Sequence, residues 1–275
     1  MKFTKMHGCG NDYIYVDCIH EQLEDPNGFA RTYSDRHKGI GSDGLITINP
    51  SQVADFRMRM FNADGSEGSM CGNGIRCVGK FVYDKGLTDK TSISVETLGG
   101  IKYLDLTVEE GKVTRVRVDM GHPITRAELI PVSGLGPEVI DQSIHVAGRD
   151  WRMTCVSVGN PHAVVWTEDV MALDLKEIGP QFEHHPVFPD RVNTEFAQIL
   201  DRQNIKMRVW ERGSDETMAC GSGSTATTYA AWRCGLTDKK VTVHLLGGEL
   251  EIEYDEERDL MFMTGPAVTV FEGEV

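Results

Sequence analysis

The 275-residue chain carries 42 acidic and 28 basic side chains, a formal charge of −14, with 40% apolar and 25% charged residues. This is the composition of a soluble globular protein, long enough for one large or two ordinary domains, and its acidity repels polyanions, so no nucleic-acid partner is expected. No stretch approaches the roughly 20 apolar residues of a membrane span, the opening MKFTKMHGCG lacks the apolar core of a secretion signal, and the seven cysteines include no C-x-x-C pair, so no membrane partner, a cytoplasmic location and reduced thiols are expected.

Along the chain, Asn27 to His37 reads as a short helix ending near Gly39. DFRMRMFNAD alternates, with Phe56, Met58 and Met60 facing one way and Arg57 and Arg59 the other, which is the period of a strand. After a polar turn comes SMCGNGIRCVGKFVYD, where Cys71 stands at a helix start; Arg76 and Lys80 lead us to expect that part of this helix meets solvent or a partner. SISVETLGGIKYLDLTV is a hairpin signal, strand to Gly-Gly to strand. Met120 to Gly136 is the loosest segment. A second short helix is expected over Ala172 to His184, ending near Pro186, and IKMRVWERG repeats the alternating strand. Cys220 then opens a helix with no charged side chain until Arg233, expected to be buried all round. VTVHLLGGELEIEY is a second hairpin, and the last strand of LMFMTGPAVTVFEGEV has nothing equivalent left to pair with, so it is expected to return to the first half.

These segments repeat. Cys71 and Cys220, the GLTDK stretches at Gly86 and Gly235, and the Gly10-Asn11 and Gly159-Asn160 pairs are all 149 residues apart, and the two Leu-Gly-Gly turns are 148 apart. The chain therefore reads as two copies of one α+β domain, each a curled antiparallel sheet around one helix. Residues 1–119, completed by 265–275, carry Cys71; residues 120–264 carry Cys220.

A thiol in the first turn of a helix sits at the positive end of the helix dipole beside unsatisfied N–H groups, which favour the thiolate and lower its pKa. The same N–H groups suit a carboxylate. Two such thiols offer one base and one acid, as inversion of a carbon requires, and glycines after each cysteine allow close approach to a ligand. An α-amino acid losing its α-proton to one sulfur and gaining a proton from the other fits this pattern.

MHGCGNDYIYVD, FNADGSE with CGNGIRC, GNPHAVV, and ERGSDET with ACGSG resemble the motif set of the diaminopimelate epimerase family, in order and nearly end to end. The resemblance implies interconversion of LL- and meso-diaminopimelate without pyridoxal phosphate, metal or redox cofactor. It also implies two β-barrel-like domains, each wrapped round a central helix, and a homodimer. By motif, Cys71 and Cys220 become the acid/base pair. Asn11, Asn62, Gly72, Asn73, Asn160, Asn193, Glu211, Arg212, Gly221 and Ser222 become substrate-binding positions, and His162 and Glu211 tune a cysteine. One departure is Gly44, where some relatives carry glutamine.

Other readings are weaker. The Gly-rich turns break the G-x-G-x-x-G pattern of dinucleotide sites. Adjacent histidines in EHHP diverge too far to share a metal, so none is expected. A redox switch between the two thiols is a liability rather than a purpose. Cys9, Cys18, Cys77, Cys155 and Cys234 read as packing. A racemase of proline, hydroxyproline or histidine on the same fold is the nearest enzymatic alternative.

Overall fold

A computed structural model describes all 275 residues, which form two compact units, Met1–Asp119 with Thr264–Val275, and Met120–Met263. No helix is long and apolar enough to cross a membrane.

The first unit begins with strands β1 (Lys2–Gly8) and β2 (Asn11–Asp17), helix α1 (Pro26–Tyr33), β3 (Gly44–Asn49) and β4 (Phe56–Asn62). The short β5 (Glu67–Gly68) precedes helix α2 (Gly72–Asp84), followed by β6 (Ser92–Thr97), β7 (Gly100–Glu109) and β8 (Lys112–Gly121). The sheet is antiparallel at β1/β2, β3/β4, β6/β7 and β7/β8, but β2/β3 and β4/β6 are parallel. Parallel neighbours need a crossover, and each of these pairs is joined through a helix, α1 or α2. In β4 the side chains of Phe56, Met58 and Met60 are buried and those of Arg57 and Arg59 half-exposed, as the alternation predicts.

The second unit repeats this order. It runs β9 (Gln142–Val146), β10 (Arg149–Ser157), β11 (Pro161–Trp166), α3 (Leu175–Glu183), β12 (Asn193–Asp201), β13 (Asn204–Glu211) and the short β14 (Asp215–Thr217). Helix α4 (Gly221–Arg233), β15 (Lys240–Leu245), β16 (Gly248–Asp255) and β17 (Leu260–Pro266) follow. The repeat holds in register: Tyr13 pairs with Gly44 across β2/β3, and His162, 149 residues later, pairs with Asn193 across β11/β12. Strand β18 (Val268–Glu274) lies antiparallel to β1 in the first unit.

Both short helices are briefer than their sequence patterns predict. After Tyr33 the Asp35 carboxylate accepts the N–H groups of His37 and Lys38, turning the chain away from a further helical turn. Asp174 caps α3 by accepting from Lys176 and Glu177, so Val170–Ala172 is left as a separate 3-10 turn. Helix α4 is buried from Gly221 to Ala231 except at Ser222, and it packs on β10, β11, β12, β13, β15 and β16. Ser224 and Thr225 return their hydroxyls to the carbonyls of Cys220 and Gly221, which lets polar side chains lie in that core.

Arg76 corrects the sequence reading of α2. It is fully buried, donating to the carbonyls of Gly72 (3.1 Å) and Pro266 (3.1 Å) rather than reaching solvent. The long side chain turns back along the first turn of its own helix, and backbone oxygens replace water around the guanidinium.

Helix α3 packs its Phe182 edge-on against Trp151 and Phe196, at 5.6 and 5.3 Å between ring centres. Gly179 on the same helix lies flat under the Trp210 indole, where a Cβ would come within 2.3 Å of Cδ2. The ring is held in core packing and cannot retreat freely. Gly179→Ala is therefore expected to destabilise the protein by about 1–3 kcal/mol, read as a lower urea midpoint with an unchanged slope; an unaltered midpoint would show that the ring has room to move.

Candidate active site

Cys71 and Cys220 are the N-cap residues of α2 and α4, with nearly the same backbone conformation (φ −129°, ψ 118° and φ −120°, ψ 114°). Each sulfur accepts the N–H three residues on, from Gly74 at 3.2 Å and from Gly223 at 3.3 Å. The sulfur thus takes the place of the oxygen that usually caps a helix. The first-turn N–H groups have no partner within the helix, and they are the groups that can receive an anion.

Around Cys71 the neighbours come from β2. The thiol donates to Asn11 Oδ1 at 3.1 Å, and Asn11 is oriented by its own Nδ2, which donates to Asp43 Oδ2 at 2.7 Å. Arg36 fixes Asp43 in turn, at 2.8 Å. Tyr13, two residues along the same strand face, hydrogen-bonds to both Cys71 and Asn11, and burial keeps its hydroxyl protonated far above the usual tyrosine range. Tyr15 completes the row by donating to Gly74 O at 3.2 Å. Gly72 and Asn73 form the first turn of α2, with Asn73 buried. Asn62 ends β4 opposite Gly44 and donates to Ser66 Oγ at 2.9 Å. A Cβ on Gly44 would fall 2.0 Å from Phe61 O, so the approach of β4 leaves no space for a side chain there.

Around Cys220 the environment is anionic. Burial pushes this thiol well above the usual cysteine value, and the carboxylates of Glu211 and Glu195 add to the shift. The expectation that a helix start would lower the pKa fails here, because desolvation and two nearby carboxylates outweigh the N–H of Gly223 and the Ser222 hydroxyl, 3.5 Å away. Glu211, the last residue of β13, is itself shifted upward, chiefly by burial, although Thr217 and Cys220 hydrogen-bond to its carboxylate. Gly221 is buried in the first turn of α4.

His162 lies fully buried on β11. Its Nδ1 is 2.7 Å from Glu195 Oε1, and its Nε2 is 2.9 Å from Asn160 Oδ1. Glu195 packs under the first turn of α4, where a Cβ on Gly223 would meet its Oε1 at 2.5 Å. Asn193 bridges two segments, donating to Pro161 O (2.8 Å) and accepting from Arg212 N (2.9 Å). The Arg212 guanidinium is exposed and anchored at Asp190 O, 3.0 Å away.

The structure therefore groups Asn11 with Cys71, Asn160 with His162, Asn193 with Arg212, and Glu211 and Ser222 with Cys220. Sequence reasoning missed Tyr13, Asp43 and Glu195. Tyr13 was within reach, since it sits 149 residues before His162. Glu195, between Thr194 and Phe196, belongs to no motif that would single it out.

A model of the family described as diaminopimelate epimerase matches residues 3–125 and 154–270. The chain belongs to the diaminopimelate epimerase family. Among its relatives, the diaminopimelate epimerases of Agathobacter rectalis and Acetivibrio thermocellus are 61% and 56% identical to it, over the whole of this chain and 99% and 98% of theirs. Similar solved structures include a phenazine biosynthesis protein of the PhzF family from Bacillus anthracis (TM-score 0.71, 21% identity) and a hydroxyproline epimerase from Agrobacterium vitis (TM-score 0.68, 15% identity). Both alignments cover all of this chain, and they cover 98% and 90% of those chains. They establish that the diaminopimelate epimerase family member described here shares their fold.

The buried thiols make alkaline stability predictable. Burial pushes Cys77, within α2, up to about 11, whereas an unfolded thiol ionises near ~8.5. Because the folded value is the higher one, its contribution is intact below about pH 8.5 and is lost as pH rises towards 11. Urea midpoints should fall between pH 8.5 and 10.5, and Cys77→Ala should flatten that fall; equal slopes in both proteins would contradict the assignment.

Proposed function

We propose that this protein epimerises diaminopimelate between its LL and meso forms, with Cys71 and Cys220 as the acid/base pair. The observation that carries the reading is the matched pair of helix-capping thiols, in a chain 56–61% identical to full-length diaminopimelate epimerases. One sulfur removes the α-proton while the other delivers a proton to the opposite face of the carbon. Cys220, held protonated by its surroundings, is suited to give a proton. Cys71 is suited to take one, because Tyr13 and the Gly74 N–H can both donate to a thiolate. In the reverse direction the roles exchange.

The α-proton is a very weak acid, so removing it requires donors preorganised around the carboxylate. The first-turn backbone of Gly72-Asn73 and Gly221-Ser222, at the positive end of each helix, fits that task. Asn11, Asn62, Asn160, Asn193 and the Glu211-Arg212 pair would hold the substrate, Arg212 suiting a carboxylate and Glu211 an ammonium. His162, between Asn160 and Glu195, would tune Cys220 through the carboxylates it faces. The two domains would be the two units, one thiol in each. No cofactor enters the scheme. Racemisation of proline or hydroxyproline is less supported, since the hydroxyproline epimerase is only 15% identical.

A cytoplasmic location suits seven free thiols. We also infer a homodimer, supported by the exposed apolar side chains of β18, Val268, Val270 and Phe271. Sedimentation should give twice the 30.6 kDa chain mass, and Phe271→Arg should lower it towards the monomer; a wild-type monomer would remove the proposal.

The direct test is proton NMR of the reduced protein with meso-diaminopimelate in D₂O and no added cofactor. Loss of the α-proton signal with appearance of the LL isomer is expected. Cys71→Ser and Cys220→Ser should each lower turnover by about 10²- to 10⁴-fold. Near-normal rates in either variant would end the two-thiol mechanism.

A further inference from the structure

We infer that Glu183, a buried carboxylate with no part in the proton transfers, is a positioning residue that sets the turn carrying Glu211 and Arg212; this rests on the function proposed above. Glu183 ends α3 and is 4% exposed. Its Oε1 accepts from the Gly213 backbone N–H at 3.0 Å and from Arg191 Nη1 at 3.2 Å, and its Oε2 accepts from Trp210 Nε1 at 2.8 Å. The His184 ring is the remaining basic side chain nearby, its Nε2 4.0 Å from Oε1.

Two of those donors, Trp210 and Gly213, bracket Glu211-Arg212 in the chain. The turn from β13 into β14 needs support, because Gly213 (φ 77°) and Asp215 (φ 58°) lie in the left-handed region, as does Arg191 (φ 60°) in the neighbouring segment. One carboxylate thus ties the end of α3, the Arg191 turn and the turn after β13 to a common point. The remaining ties are Asn193 Oδ1 to Arg212 N and Asp190 O to the Arg212 guanidinium. Glu183 thereby fixes where Arg212 presents its charge and where Glu211 leaves the strand.

The chemistry makes the residue hard to replace. Two carboxylate oxygens serve three donors, and an amide in the same place would turn one N–H₂ towards another donor. Trp210 stabilises the core through this carboxylate, but the bond to Gly213 N reaches the substrate-binding turn. The two bonds can therefore be separated by experiment.

Glu183→Gln should raise KM for diaminopimelate about tenfold, with kcat within about threefold, as loss of remote binding would. Hydrogen exchange of the Gly213 amide should quicken by about tenfold as its acceptor is weakened. Trp210→Phe, which removes one bond but leaves the carboxylate facing Gly213, should lower the melting temperature while KM stays within about twofold. If the glutamine variant does not fold, Glu183→Asp carries the same readings at about threefold, since its shorter arm keeps the charge but not the reach. Unchanged KM in a folded Glu183 variant would overturn the inference, as would an equal rise in KM in Trp210→Phe, which would make the carboxylate a general core staple. A wild-type protein inert towards diaminopimelate would bring down the functional reading instead, and exchange at Gly213 would then decide whether Glu183 holds the turn.

Discussion

Everything in the candidate site depends on a sulfur standing where a helix ordinarily has an oxygen cap. A thiol is a poorer acceptor than a serine hydroxyl or an aspartate, so each helix gives up some capping strength to gain a group that can exchange a proton. The loss is tolerable because neither helix stands alone. Helices α2 and α4 are buried along almost their whole length, and packing in their own units, rather than the caps, keeps them formed. Burial has the opposite effect on the thiol, since it opposes ionisation. Each sulfur's acidity is therefore set by a contest between the helix start and the side chains packed round it.

The two halves resolve that contest differently. At equivalent positions they carry Tyr13 and His162, Gly44 and Asn193, and Asn62 and Glu211. Cys71 faces a tyrosine that keeps its proton and an amide held by Asp43; Cys220 faces carboxylates. The backbone has stayed nearly the same at both caps while the surrounding side chains diverged. A duplicated scaffold supplies two similar thiols, and the substitutions give them unlike surroundings.

Much of this was legible in the sequence. The 149-residue offset survives as strand register, the Gly-Gly turns are hairpins, and the uncharged face of α4 does signify burial. Arg76 was misread because charge was taken as a sign of solvent, whereas its hydrogen bonds to carbonyls are invisible in a pattern of residue types. Helix α1 ended early and α3 began late because Asp35 and Asp174 compete for backbone N–H groups, an effect that apolar periodicity does not register. Glu195 and Glu183 were missed for a related reason. Each is a buried carboxylate whose partners, His162 in one case and Trp210 and Gly213 in the other, lie far away in the chain, so no local motif announces them.

The return of β18 to β1 has a consequence for the order of assembly on the ribosome. Strand β1 is among the first segments made, yet its antiparallel neighbour on one side is not synthesised until all of β9 to β17 has emerged. The second unit can collapse as soon as its own strands are complete, while the first must wait with one margin of β1 unpaired. Translation thus reverses the order in which the halves were written: the later half can fold first, and the earlier half closes last.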